Sequence, residues 1–372
     1  SLMLRINTID FDESLVFDGV GNEINNFLVE LFLSYETEGE DIKNFYSLEA
    51  DDFSKKIDSL HLDKIMLLEE LATENNISLA AKNMAKASID YNSYIYKEKY
   101  PFYHKRSKGY DKLESLASTF YAYRKDLNYN DSELSYFRPY FNFMKYHFGN
   151  LSHLICTDNC DSITRKQDPA HKLHVNQHKL ALIDSLAKDK VLRDNLFRNV
   201  ALDYFLKVHD SKDNNTVFLD QLHSVSPDNK HMGEINELFN GITNLQPNSA
   251  LPTVDVLDFE GKPVTLNSLA LKGKTAFYFW SNTRKKHFND VIKKVNALSK
   301  SNPEYTFIGI NVKTDEETFK ELVISNQLDR TKQFRAPNFE ALAKLLIIDA
   351  MDKSILVENG KITNGFGNLY HS

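Results

Sequence analysis

The sequence predicts an all-α domain followed by a small α/β domain, with a short strand-like remnant ahead of both. Three observations carry this. From about residue 40 to 243, apolar side chains recur at helical spacing. After Pro247-Asn248 the pattern changes to β-prone runs, Thr275–Trp280 and Tyr305–Val312, alternating with helical segments. The opening runs, Met3–Ile6 and Leu15–Phe17, are strand-like but too few to make a sheet by themselves. The boundaries are placed at 1–20 (strand-like remnant), 21–244 (helical), 245–250 (linker) and 251–372 (α/β).

In the first part, Ile24, Phe27, Leu28, Leu31 and Phe32 predict a helix over 22–34. Phe53, Ile57, Leu60, Leu67, Leu68 and Leu71 line another helical face. Ser78 is placed as the N-cap of a helix carrying Met84, Ala87, Tyr91 and Ile95, and Tyr100-Pro101 is expected to stop it. Leu113–Lys125, Tyr136–Phe148, Leu173–Ala187 and Val191–Val208 read as further helices, and Ser226-Pro227 as the start of another. That makes about seven or eight helices, with no fixed repeat.

In the second part, Val254–Leu257 and Pro263–Leu266 flank Asp258–Gly261 as a hairpin. Thr275–Trp280 is continuous in the way of a strand buried on both faces. Phe288, Val291, Ile292, Val295 and Leu298 form one helical face after it. Thr314 and Glu317 look like a capping box ahead of Phe319, Leu322 and Val323. Asn338–Leu346 reads as helix, and Ser354–Glu358, Asn359-Gly360 and Lys361–Thr363 as a closing hairpin with a type I′ turn.

Composition sets limits on function. With 42% hydrophobic and 12% aromatic residues over 372 positions, the chain can bury sizeable cores and is not predominantly disordered. A net charge of -7, from 45 basic and 52 acidic residues, argues against a nucleic-acid partner. No apolar run reaches the ~18 residues of a membrane span. Phosphate-binding glycine loops, nucleophile elbows and His-Glu-Xaa-Xaa-His patterns are missing. No cofactor and no metal are expected.

A family resemblance enters on a set of phrases: Leu251-Pro252-Thr253-Val254-Asp255-Val256-Leu257-Asp258, Gly261-Lys262-Pro263-Val264-Thr265-Leu266, Leu271-Lys272-Gly273-Lys274, Phe277-Tyr278-Phe279-Trp280 and Asn359-Gly360-Lys361-Ile362. In this order, over about residues 248 to 372, they resemble a thioredoxin-like domain of the bacterial TlpA/ResA type. That implies a central mixed sheet flanked by helices. Phe17-Asp18-Gly19-Val20-Gly21, Asn25-Asn26-Phe27-Leu28 and Tyr100-Pro101 resemble the helical insert ahead of such domains in some envelope proteins. The resemblance implies a periplasmic or cell-envelope location, with an export signal and a β-domain ahead of Met3.

Disulfide exchange in that family needs two cysteines at the start of the helix after the central strand. The helix N-terminus lowers the first thiol's pKa, and the second resolves the mixed disulfide. Counting on from Trp280 passes Ser281, Asn282 and Thr283, and puts Arg284 and His287 where the family has its cysteines. Met351 or Asp352 occupies the family's cis-proline position, and Pro337 lies too early to replace it. The expectation is therefore a thioredoxin-like domain that has lost its reaction. Ser281, Asn282, Thr283, Arg284, Lys285 and Lys286 could instead form an anion or acidic-peptide site, weighed against a solvated basic turn.

Cys156 and Cys160 leave several readings open: a local disulfide in an oxidising compartment, two reduced thiols, or a displaced redox pair. Zinc held by these and by two of His147, His153, His171, His174 and His178 lacks the usual ligand spacing. The tyrosine-rich stretch from Tyr91 to Tyr129 reads as helix packing, with a peptide- or glycan-contacting face as the alternative. The function expected is a redox-inactive protein- or peptide-binding or scaffolding module. The alternative is a thiol-disulfide oxidoreductase using Cys156 and Cys160.

Overall fold

A computed structural model of the chain describes residues 2–7, 14–159, 169–283 and 285–370. It divides into two compact units: Ser1–Thr164 with His174–Phe197, and Arg165–Leu173 with Arg198–Ser372.

The first unit opens with an antiparallel pair, β1 (Leu2–Arg5) and β2 (Val16–Gly19), which pair with each other. The helix α1 (Asn22–Thr37) follows, with Ile24, Phe27 and Leu31 packed against Leu68, Ala85 and Ile89. Those partners come from α3 (Ala50–Glu74) and α4 (Leu79–Lys108), reached through the short α2 (Gly39–Phe45). Phe32 and Leu67 face solvent despite their helical spacing. A second core gathers Ile42, Tyr46, Phe53, Ile57, Tyr100 and Phe120. The tyrosines pack largely among themselves; Tyr94 and Tyr123 stack with ring centroids 4.2 Å apart.

Ser78 caps α4 as expected, its hydroxyl accepting from the Ala81 amide at 3.2 Å. Pro101, expected to end this helix, lies inside it and is buried. A proline removes one helical hydrogen bond. The turn is held from outside instead: the Tyr100 hydroxyl donates to the Leu48 carbonyl (2.8 Å), and the His104 ring bonds the Tyr46 carbonyl (2.9 Å). The true stop is Gly109, in the left-handed conformation at φ 70.

The helix expected over 113–125 is replaced by a loop and a 3₁₀ segment, Ser118–Asp126, kinked at Tyr121. The kink lets neighbouring residues reach one buried carboxylate. Glu98 of α4 accepts from Tyr123 (2.9 Å), from Arg124 Nε (2.9 Å) and Nη2 (2.5 Å), from Asn150 Nδ2 (2.7 Å) and from His147 Nδ1 (2.7 Å). His147 and Asn150 lie on α5 (Arg138–Asn159), and Tyr129 bonds His147 Nε2 at 2.8 Å. Burial works to raise the Glu98 carboxyl, but the hydrogen bonds from His147 and Arg124 and the attached charge prevail and hold it at about 2.

The helices α6 (Pro169–Leu186), α7 (Lys190–Val208), α8 (Lys212–Val225) and α9 (Met232–Asn244) follow. α8 was not anticipated; Ser211 caps it. Ser226-Pro227 turns the chain between α8 and α9 rather than starting a helix, which begins only at Met232. Residues 198–244, grouped with the helical part on sequence, belong by packing to the unit holding the sheet. Nor does 245–250 hang loose. Leu245 is fully buried, the Asn248 amide donates to the Ile362 carbonyl (2.8 Å), and the Ile362 amide donates back to Ser249 (2.9 Å).

The second unit is an α/β layer of the thioredoxin-like kind. Its strands are β3 (Asp255–Leu257), β4 (Pro263–Thr265), β5 (Lys274–Trp280), β6 (Tyr305–Asn311), β7 (Gln333–Arg335), β8 (Lys353–Glu358) and β9 (Lys361–Asn368). Their order in the sheet is β4-β3-β7-β6-β5-β8-β9. β5, β6 and β7 run parallel, β8 pairs antiparallel with β5, and β9 pairs antiparallel with β8. The helices are α10 (Lys285–Ser301), α11 (Glu316–Ser325) and α12 (Phe339–Leu346). One face of β5, with Tyr278 and Trp280, packs on Phe288, Val291 and Val295 of α10 and on Phe319 and Val323 of α11. The other presents Phe277 and Phe279 in register with Ile308 and Ile310, all buried. The cap of α11 is Asp315, one residue past the expected Thr314, because its carboxylate accepts from the Thr318 amide (2.9 Å). Asn359 and Gly360 both take positive φ, 50 and 79, as a type I′ hairpin requires.

Glu98→Gln leaves the Arg124 guanidinium buried without its counter-charge, and is expected to cost about 3–5 kcal/mol, read as a lower urea midpoint at neutral pH. The Glu98 carboxyl lies lower in the folded chain than its ordinary 4.5. Its stabilisation is therefore present above that value and lost as pH falls towards 2. The wild type's advantage over the variant should shrink over that window.

Candidate functional site

The turn joining β5 to α10 sits at the C-terminal ends of the parallel strands, where open α/β sheets place their sites. β5 arrives buried on both faces, so its last residue, the chain's single tryptophan, needs a partner for its indole N–H. Gln333 of β7 supplies it: Trp280 Nε1 donates to Gln333 Oε1 at 3.0 Å, and Gln333 Nε2 donates to the Tyr278 hydroxyl at 3.0 Å. Tyr278 pairs with Gly309 and Gly309 with Gln333. The bridge thus crosses directly over a glycine of β6. A Cβ at Gly309 would stand 2.2 Å from Gln333 Oε1 and 2.7 Å from the Tyr278 hydroxyl.

Beyond Trp280 the chain turns. Ser281 is buried, and its hydroxyl accepts from the Thr283 amide at 3.2 Å while lying 3.2 Å from the Thr283 hydroxyl. Asn282 and Thr283 are exposed, as are Lys285 and Lys286. Arg284 lies outside the described residues. His287 is partly buried, and Phe288 packs on Trp280 with centroids 5.2 Å apart. At the matching end of β6, the Asn311 amide donates to Thr314 Oγ1 at 3.1 Å, while its Oδ1 is buried without a partner.

Met351 and Asp352 form the turn before β8. Asp352 ties it to the end of β9: its carbonyl accepts from the Leu369 amide (2.7 Å) and its carboxylate from Asn368 Nδ2 (2.5 Å). No peptide bond among the described residues is cis. Burial, and then the charges of Asp290 and Asp352, push the Tyr370 hydroxyl up.

Cys156 is not part of this turn; it is buried in α5, an element of the first unit. Cys160 lies outside the described residues, and with it the expected disulfide and the displaced redox pair.

A second polar feature of this unit went unnoticed in the sequence. Lys353 opens β8 from a buried position beside a cavity of about 230 Å³ shared with His209, Asp349 and Phe366. Its ammonium donates to the Ile347 carbonyl at 2.8 Å and sits 4.8 Å from the Phe366 ring centroid. Burial lowers its pKa to about 8, with Asp349 opposing. Burial, and then the Lys353 charge, also lowers His209. The one signal available was a lysine abutting the apolar run Ser354–Val357.

No family model matches the chain, and no curated protein matches it. Among solved structures, a thioredoxin-like protein from Bacteroides caccae is 13% identical, over 60% of this chain and 82% of that one, with a TM-score of 0.41. The thioredoxin domain of a thiol-disulfide oxidoreductase from Bacteroides vulgatus is 23% identical, over 32% of this chain and 87% of that one, with a TM-score of 0.26. A secreted Mycobacterium tuberculosis disulfide oxidoreductase is 18% identical, over 31% and 82%, with a TM-score of 0.26. No helix among the described residues is long and apolar enough to cross a membrane.

Gly309→Ala should force Gln333 off the indole, lower the melting temperature by an amount equivalent to about 1–3 kcal/mol of overpacking, and shift the Trp280 emission. The Lys353 amine titrates lower in the folded chain than its ordinary 10.5. Its cost is thus fully present below about 8 and relieved as pH rises towards 10.5. Between pH 8 and 10 wild type should gain on the order of 2 kcal/mol relative to Lys353→Met, measured as the difference between their urea midpoints.

Proposed function

We propose that the second unit is a redox-silent domain of the TlpA/ResA type that binds a protein or peptide, in a cell-envelope protein whose helical part serves as a scaffold. The observation that carries this is the chemistry of the β5–α10 turn. Hydroxyls, an amide and cations stand there, with Arg284 and His287 at the two dithiol positions and no cysteine after residue 160. A guanidinium and an imidazole cannot exchange disulfides, because exchange needs a thiolate to attack and a second thiol to resolve. What the turn offers is exposed Asn282, Thr283, Lys285 and Lys286 beside the positive end of a 17-residue helix. That combination suits carboxylate side chains on a partner. The envelope location rests on the family resemblance.

Two measurements test the reading. In an insulin-reduction assay with a dithiol donor, the protein should add nothing to the donor's own rate. Turnover that disappears in Cys156→Ser would replace this reading with an oxidoreductase built on Cys156 and Cys160. In a titration with a Glu-rich peptide followed by Trp280 fluorescence, binding should weaken with salt and drop severalfold in Lys285→Glu/Lys286→Glu. Binding indifferent to both would remove the acidic-peptide assignment.

A further inference from the structure

In the first unit, three side chains meet around a histidine whose bonding leaves one nitrogen unanswered. His104, in the closing turns of α4, is 1% exposed. Its Nδ1 lies 2.9 Å from the Tyr46 carbonyl oxygen. A carbonyl can only accept, so Nδ1 donates there, and Nε2 is the ring nitrogen left to offer a lone pair to an ion. That Nε2 is buried with no hydrogen-bond partner. It faces more acceptors: Glu114 Oε2 lies 3.5 Å away, and Glu49, at the N-cap of α3, closes the group. One ligand atom from each of Glu49, His104 and Glu114 falls within 4.8 Å of the others. Three potential ligand atoms thus gather at one point, one of them buried and without a hydrogen-bond partner.

We propose that Glu49, His104 and Glu114 form a binding site for a divalent transition-metal ion, with zinc the ion that best suits the set. Imidazole with two carboxylates favours zinc and its neighbours over magnesium or calcium, which prefer all-oxygen surroundings. Tetrahedral zinc with bonds of about 2.0–2.2 Å sets neighbouring ligand atoms about 3.4 Å apart, and the Nε2–Oε2 pair already stands at 3.5 Å. The ring is oriented as metal-bound histidines usually are, by a carbonyl on its other nitrogen. Tyr100 stacks on it at 4.8 Å and Tyr110 meets it edge-on at 5.9 Å. Lys108 Nζ, 2.8 Å from Glu49 Oε1, supplies a positive charge beside that carboxylate. Three protein ligands leave a fourth position open to water or a partner group. The ion would tie the start of α3, the end of α4 and the loop after Gly109 into one cluster.

The test uses the full chain, stripped of metal and titrated with Co²⁺ or Zn²⁺. One equivalent should bind per chain, with a cobalt d–d band lacking the intense sulfur-to-metal absorption of thiolate sites, and with a metal-dependent rise in melting temperature. Glu114→Gln, on a half-exposed side chain whose loss leaves the metal-free fold intact, should weaken binding at least ~10-fold, the scale that even outer-shell partners of a metal site command. It should also abolish the thermal shift, and His104→Gln should do the same. Absence of a bound equivalent, or an equivalent that Glu114→Gln leaves unchanged, would overturn the proposal; the latter would put the metal elsewhere.

Discussion

A strand buried on both faces has no solvent to hydrate its polar atoms, and β5 ends on an indole N–H. The second unit is arranged around satisfying that donor. Gln333 must reach it from two strands away, so the β6 position between them must be a glycine, and β7 must pair in the register that puts Gln333 opposite Gly309. With that bridge made, Trp280 is fixed under Phe288 and Phe319, and the turn that follows leaves the sheet at a defined point. The first unit solves a similar problem with charge. Glu98 is wholly enclosed and tolerable only because tyrosine, arginine, histidine and asparagine all donate to it. Removing one partner from either arrangement strands the rest, which is why such networks specify a single packing.

The thioredoxin-like layer brings strand ends and a helix start together whether or not sulfur is present, and fold does not fix function. What distinguishes this chain is what stands at that point. Ser281 bonds within its own turn, Thr283 and the two lysines face outward, and the turn before β8 is anchored by Asp352 to β9. The turn displays polar and cationic groups, and no cysteine follows residue 160.

Much of the frame was legible in the sequence, for reasons that can be named. β5 and β6 are continuous apolar runs because both faces are covered, and Asn359-Gly360 is a turn because both residues must adopt positive φ. α1 and α10 follow their apolar spacing. Tertiary contacts decided what could not be read. Pro101 survives inside α4 because Tyr100 and His104 anchor the helix to the segment ahead of α3, and 113–125 is not a helix because Tyr123 and Arg124 are drawn to Glu98. β7 is three residues long and exists only by its pairing. The site was legible as a position, the residues after Trp280, but not as an environment. Nothing local marks Gln333 or Asn311, and Glu49, His104 and Glu114 share no sequence spacing that would join them.

The seven-stranded sheet also ends in a particular way on each side. β4 is only three residues long and carries Pro263, while β9 is flanked by residues 248–251, which exchange backbone bonds with Gly360 and Ile362. β4 thus offers a foreign strand only a short margin with a proline in it, and the start of β9 is already engaged. That leaves less free backbone at the two margins for edge-to-edge pairing.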